Sequence, residues 1–284
     1  ILRVHTRGKP IAKDIDLDTL AGQTPGFTGA DLANLVNESA LLAARKGKKV
    51  IDGQELEEGI LRVIAGPEKK TRLLSDKERV VTAYHEMGHA IVGHFLPDAD
   101  PVHKISIVSR GQALGYTISM PAEDKFLTTR AQLEDTMAMT LGGRAAEDLE
   151  KVTATAKQMT MRFGMSEKLG PRVLGHSQGA PFLGRDMHSE PDYSDDIARQ
   201  IDVEIRRIIE DAYQRAKDIL SEHRHDLENI TQILLRRETI ERDEFLRLLE
   251  GESEADVFRV KDERARQKAA EDERAAAEAE AEAS

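Results

Sequence analysis

A chain of 284 residues with 39% apolar content has the material for one large domain or two modest ones with buried cores. Cysteine is absent, which removes disulfides and thiolate ligands, so any metal has to be held by histidine and carboxylate. A formal charge of −11, with 4% aromatic residues and no tryptophan, argues against a nucleic-acid partner, because phosphate neutralisation needs a basic surface and base stacking needs rings.

No apolar run approaches the ~20 residues needed to cross a bilayer. The start Ile1-Leu2-Arg3-Val4 has neither an initiator methionine nor a signal-peptide pattern. The sequence therefore reads as a soluble fragment of a longer protein.

Residues 1–65 predict small helices. Leu32, Leu35, Val36, Ser39, Ala40, Leu42 and Ala43 keep helical spacing behind Thr28-Gly29-Ala30-Asp31, where Thr28 can cap the helix and Asp31 stands at the third position. Asp52 can cap a second helix carrying Leu56, Ile60 and Val63. Turn formers and charge in Gly66-Pro67-Glu68-Lys69-Lys70-Thr71 then interrupt the pattern, and 66–75 is taken as a linker.

A second domain is expected over 76–250. Ser75-Asp76-Lys77-Glu78 forms a capping box ahead of Val80, Val81, Tyr84, Met87, Gly88, Ile91, Val92 and Phe95, and Pro97 stops the helix. Lys104–Val108 and Leu114–Ser119, around Arg110-Gly111, predict a small hairpin. The remainder reads as almost wholly helical, most clearly from Tyr193 to about His223, with Ile197, Ile201, Ile205, Ile208, Ile209, Ala212 and Ile219 on one side. Such a stripe is ordinary core or a surface for partner helices. From Lys261 onward no large apolar residue occurs, and 251–284 is expected to be a charged tail, disordered or a frayed helix. The fold class expected is mainly α with a small β-hairpin or sheet.

The chemistry sits in His85-Glu86-Met87-Gly88-His89. Histidines four apart on a helix project from one face, where two imidazoles reach one zinc ion at ~2.0–2.1 Å. Glu86 is rotated away from the ligands, yet its side chain can reach a metal-activated water as general base and later protonate the leaving amine. Gly88 beside the second histidine is expected to leave space around the metal. His94 lies nine residues from His85, about half a turn round the helix at ~100° per residue, so it should point away. A metzincin would need glycine at Val92 and histidine at Phe95, so that class is excluded. His103, His176, His188, His223 and His225 form no ligand pair on a helix face. The third ligand must come from elsewhere, and the many Asp and Glu residues leave it open on spacing alone.

Ala83–Ala90 resembles the zinc helix of the FtsH protease family. Thr24-Pro25-Gly26-Phe27-Thr28-Gly29-Ala30-Asp31-Leu32 is similar to the helical lid of that family's AAA ATPase module, and Leu141–Glu147, Phe163–Ser166 and Pro181–Gly184 match further landmarks in order, covering 1 to about 250. The resemblance implies a truncated lid over 1–65 and a zinc peptidase domain over 76–250. It implies one zinc on His85, His89 and an aspartate opening a later helix, which here matches Asp148, with Glu86 catalytic. It also implies membrane attachment through segments before Ile1, a peptidase domain on the cytoplasmic side in a bacterial reading, a hexameric ring, and unfolded, misfolded or membrane proteins as substrates. ATP would act only through the upstream module, since no G-x-x-x-x-G-K-[ST] loop is present.

Departures from the family carry consequences. Met87 occupies a position usually small, which alters packing but not ligand spacing. Glu147 runs straight into Asp148, where the family inserts a glycine- and threonine-rich loop. Read as written, Thr128 to Phe163 could form one rod interrupted only by Gly142-Gly143, so a loop hidden at that junction is expected. Were the loop truly deleted, Glu147 becomes the alternative ligand and the chain a catalytically silent assembly module of a ring.

Overall fold

The computed structural model describes residues 1–69, 74–121, 127–175 and 193–282, without the side chains of 268 and 271–282. The first unit holds four helices: α1 (Leu2–His5), α2 (Leu17–Gly22), α3 (Gly29–Arg45) and α4 (Gly53–Ala65). Capping decides where they start. Thr28 and Asp31 form the reciprocal capping box of α3, and the Asp52 carboxylate accepts from the Gln54 N–H at the start of α4. Leu35, Val36, Ile51, Leu56 and Ile60 pack between α3 and α4.

The segment after α4 is tied down on the second unit. Lys69 N–H donates to Ser109 O and Gly111 N–H to Pro67 O, 2.9 and 3.1 Å. Arg110 grips Glu58 of α4 with two parallel bonds, Nη1 to Oε1 at 2.8 Å and Nη2 to Oε2 at 2.6 Å, while its Nε donates to the Tyr116 hydroxyl at 3.3 Å. Residues 67–69 thus connect the two units through the hairpin tip.

In the second unit α5 (Asp76–Phe95) is the central helix, opened by the expected Ser75–Glu78 capping box. Strands β1 (Val102–Ser106) and β2 (Tyr116–Ser119) pair antiparallel as expected, and a third, β3 (Thr239–Glu241), joins the other side of β1, giving the order β2-β1-β3. β3 lies in a stretch read as wholly helical. It is only three residues long, too short for a period of two to show against helical flanks. The helices α6 (Arg130–Gly143), α7 (Ala146–Met161), α8 (Asp195–Glu222), α9 (Arg224–Arg237), α10 (Arg242–Leu249) and α11 (Glu254–Glu282) complete it.

Two buried clusters meet on α5. One joins Ala83, Met87 and Ile91 to Ile105, Leu234, Ile240 and Phe245, and the other joins Val92 to Met137, Val152, Met159, Ile208 and Ala212. Most of the isoleucine stripe of α8 packs there, with Ile208 buried and Ile205, Ile209 and Ile219 against the same cluster, while Ile197 and Ile201 pack with Leu169 and Leu174. Val257 and Phe258 of α11 are buried in the first cluster, so the packed unit runs beyond residue 250 before the exposed charged helix begins.

Candidate metal centre

The site depends on how closely α5 and α6 approach. A Cβ on Gly88 would stand 2.4 Å from Gly142 O, and one on Gly142 would stand 2.5 Å from Gly88 O, so the two backbones touch where neither residue has a side chain. Gly88 therefore serves helix packing rather than open space around a metal, which corrects the expectation from sequence. Gly143 does that work: a Cβ there would lie 2.3 Å from His89 Nε2 and 2.6 Å from His85 Nδ1.

Immediately after Gly143 the chain reverses at Arg144, in the left-handed region at φ 57° and ψ 48°, and α7 begins at Ala146. Asp148 stands at the third position of that helix and its Oδ2 accepts from the Ala145 N–H at 2.9 Å. The expected loop between Glu147 and Asp148 is not what breaks the rod. Both residues lie inside the first turn of α7, and the break comes three residues earlier, where an arginine rather than a glycine takes positive φ. Arg144 is held there by its Nη1 on the Tyr213 hydroxyl at 2.8 Å, with the guanidinium over the Tyr213 ring. Glu147 is exposed and outside the cluster, whereas Asp148 is buried within it.

Three donor atoms converge. His85 Nε2 and His89 Nε2 are 3.3 Å apart, and Asp148 Oδ2 lies 3.7 and 3.5 Å from them. Donors around one tetrahedral zinc at ~2.0–2.1 Å are separated by about 3.3–3.4 Å, so the triangle fits the ion with little adjustment. His89 Nδ1 sits 2.9 Å from Met139 O, the partner that keeps a proton on Nδ1 and turns the Nε2 lone pair into the cluster. Among the described residues, His85, His89 and Asp148 are the one such His, Asp or Glu group able to hold a metal.

The charges are mutually set. Burial opposes a charged ring at His89, but the Asp148 carboxylate and the Met139 carbonyl outweigh it and raise its pKa. Burial likewise acts to raise Asp148, and His89 with the Ala145 N–H brings it below the ordinary carboxylate value. Glu86 is buried beside them, 4% exposed, and burial pushes its carboxyl upward against the pull of His89 and His85. A carboxylate that takes and returns a proton near neutral pH gains from that direction of shift.

His94 points elsewhere, as the helical angle requires, with its ring edge-on to Phe95 and Phe245 and its pKa lowered by burial, His223 and Arg242. His223 stacks on Phe95 and contacts Asp226; His225 is exposed, and His103 lines a cavity with Glu57 and Lys104. His176, His188 and the Pro181–Gly184 landmark lie outside the described residues. Met87 is fully buried on the face of α5 opposite solvent, so its bulk is absorbed by the core. Sequence reasoning missed Thr117, whose Oγ1 is 2.9 Å from Glu86 Oε2, and gave Gly143 no role although it singled out Gly142-Gly143.

Comparison with known proteins shows the family of the chain. Residues 72–248, more than half of the chain, match peptidase family M41, and residues 14–58 match the AAA+ lid domain. The chain is 71% identical over 271 residues to ATP-dependent zinc metalloprotease FtsH 1 of Conexibacter woesei, covering 91% of the chain and 42% of that protein. It is 56% identical to ATP-dependent zinc metalloprotease FtsH of Rubrobacter xylanophilus, with 88% and 40% covered, and 48% identical to that of Thermotoga maritima, with 89% and 44% covered. The chain thus spans less than half the length of these relatives. On the profile match and on these identities, the chain belongs to peptidase family M41, the zinc metalloproteases, and carries an AAA+ lid ahead of its peptidase domain.

Proposed function

We propose that this chain is the peptidase part of an ATP-dependent zinc endopeptidase, with zinc held by His85, His89 and Asp148 and with Glu86 as the general base. The observation that carries the reading is the convergence of the two motif histidines with Asp148, from a different helix, beside a buried Glu86. When bound, zinc supplies a Lewis acid for the scissile carbonyl and makes water nucleophilic near neutral pH. Glu86 accepts the proton of the attacking water at its carboxylate and delivers it to the leaving amine. Met139 O fixes the tautomer of His89, and the buried setting of Glu86 excludes bulk water from the proton transfer.

The edge of the sheet suits an unfolded substrate. Among the described residues β2 pairs with β1 on one side only, so its outer backbone groups can take a substrate strand and read main chain more than side chains. Broad specificity of that kind fits degradation of unfolded, misfolded and membrane proteins. In the whole protein, ATP-driven unfolding and threading by an upstream ATPase module, a hexameric ring and membrane anchoring by segments outside this chain complete the proposal, with the peptidase domain on the cytoplasmic side. Among the described residues no helix is long and apolar enough to cross a membrane.

The silent assembly module is disfavoured by two observations. Asp148 reaches the histidines without the family's loop, and the isoleucine stripe of α8 packs against the chain's own core, Ile201 and Ile208 buried and the others half-buried. Measuring zinc stoichiometry together with casein cleavage separates the readings: one zinc and cleavage support the endopeptidase, and zinc without cleavage supports the assembly module.

A further inference from the structure

The start of β2 wraps the Glu86 carboxylate from two alternate positions. Residues two apart on an extended chain face the same way, so 115 and 117 both look towards α5, while Tyr116 turns to Arg110. At the first of these there is no side chain: a Cβ on Gly115 would stand 2.9 Å from Glu86 Oε1 and 2.6 Å from Thr82 Cγ2. At the second, the Thr117 hydroxyl lies 2.9 Å from Glu86 Oε2 and 2.9 Å from Glu86 O. A glutamate side chain has three rotatable bonds, and Glu86 is neither a member of the donor triangle nor held by an ion pair to lysine or arginine among the described residues. The Thr117 hydroxyl is the one neutral donor that reaches its carboxylate there.

We propose that Thr117 is a positioning residue for the peptidase reaction, its hydroxyl donating to Glu86 Oε2 and holding the carboxylate in the orientation from which it takes the proton of water. This rests on the reading of Glu86 as general base. The alternate acceptor, Glu86 O, lies on the same residue, so the hydroxyl stays over Glu86 whichever oxygen it serves. As a threonine in a strand, Thr117 is rigid about its first torsion, which fixes where the hydroxyl points. Its backbone pairs with Ile105 of β1, so replacing the side chain leaves the ladder and the outer edge of β2 intact. Loss of the hydroxyl should therefore act on turnover and not on substrate binding.

The test uses the zinc-loaded 284-residue chain with a fluorogenic peptide and the variants Thr117→Val, Thr117→Ser and Glu86→Gln. Valine keeps the shape and strand preference of threonine without the donor. The expected result is a kcat about tenfold to hundredfold lower in Thr117→Val, the scale of one hydrogen bond to a charged group, with KM within about twofold and recovery in Thr117→Ser. In metal-free chain labelled with carboxyl-13C glutamate, the Glu86 resonance, assigned by its loss in Glu86→Gln, should shift in Thr117→Val and return in Thr117→Ser. An unchanged kcat in Thr117→Val beside an inactive Glu86→Gln overturns the role of Thr117 alone. Full activity in Glu86→Gln overturns the general-base reading and this proposal with it. Loss of zinc or a lowered Tm in Thr117→Val, or a Thr117→Ser as slow as valine, assigns the residue a structural role instead.

Discussion

Gly143 lies so close to His89 that a single methyl on it would stand 2.3 Å from His89 Nε2. Backbone of α6 thereby forms one wall of the donor triangle, and the histidine rings rest on it. Gly143→Ala is expected to rotate both rings and weaken zinc affinity by about 10- to 100-fold, the range seen when groups that orient ligands are disturbed. Competition titration against a chelator measures it, and an unchanged affinity would show that the rings do not depend on this wall.

Gly88 and Gly142 carry a different burden, since each faces the other's carbonyl at the α5–α6 crossing. Gly88→Ala should force the helices apart and destabilise the chain by about 1–3 kcal/mol, the usual cost of overpacking. Denaturant unfolding of the metal-free chain reads this apart from any change in metal binding. A variant as stable as the parent would mean that the crossing relaxes without strain.

Removing the base should separate chemistry from metal binding. Glu86→Gln is expected to retain one zinc per chain and to lose at least about 10²-fold in peptide hydrolysis, whereas alanine at His85 or His89 should abolish both. Zinc by elemental analysis and turnover on one peptide, measured on the same samples, check the distinction. Undiminished turnover in Glu86→Gln would place the base elsewhere.

The contact of Arg110 with Glu58 predicts an acid-sensitive junction between the lid and the peptidase domain. Burial alone would raise the Glu58 carboxyl, but the guanidinium of Arg110, and behind it that of Arg62, bring it below its ordinary value. A carboxylate depressed in the folded state stabilises above its unfolded pKa of about 4.5 and loses that contribution as pH falls through the lower folded value. Stability should therefore decline below about pH 4.5 by less in Glu58→Gln than in the parent. At neutral pH, Arg110→Met should cost about 2–3 kcal/mol, somewhat under the figure for a fully buried pair because Glu58 keeps 22% exposure. Urea unfolding at several pH values checks both.

Much of this was legible in the sequence, for identifiable reasons. Helices α3, α4 and α5 announce themselves because Thr28, Asp52 and Ser75 are caps followed by helical spacing, and the two motif histidines share a face by arithmetic alone. Asp148 came only from resemblance. Gly142-Gly143 marks a weak point in the rod but not the reversal that brings Asp148 home, because the turn itself uses a left-handed arginine held by Tyr213, a tertiary partner 69 residues away. Gly88 was misassigned since a glycine beside a ligand looks local, while its reason lies across the helix pair. Thr117 escaped notice because an alternating strand says which face a residue takes and not what stands opposite it. β3 and the buried Val257 and Phe258 were hidden by their brevity within charged, helical surroundings.

Because the chain has no phosphate-binding loop and its lid match covers only residues 14–58, it should neither bind ATP tightly nor hydrolyse it. A phosphate-release assay on purified chain, with and without a zinc chelator, tests this. Zinc-independent ATPase activity that persists through purification would contradict it.

The central claim is that His85, His89 and Asp148 together hold one zinc. A crystal of the zinc-loaded chain with data on both sides of the zinc absorption edge tests it most directly. The expected result is a single anomalous peak per chain, about 2.0–2.2 Å from the two Nε2 atoms and from a carboxylate oxygen of Asp148. A peak ligated by Glu147 or any other third residue, or no peak at the histidines, would contradict it.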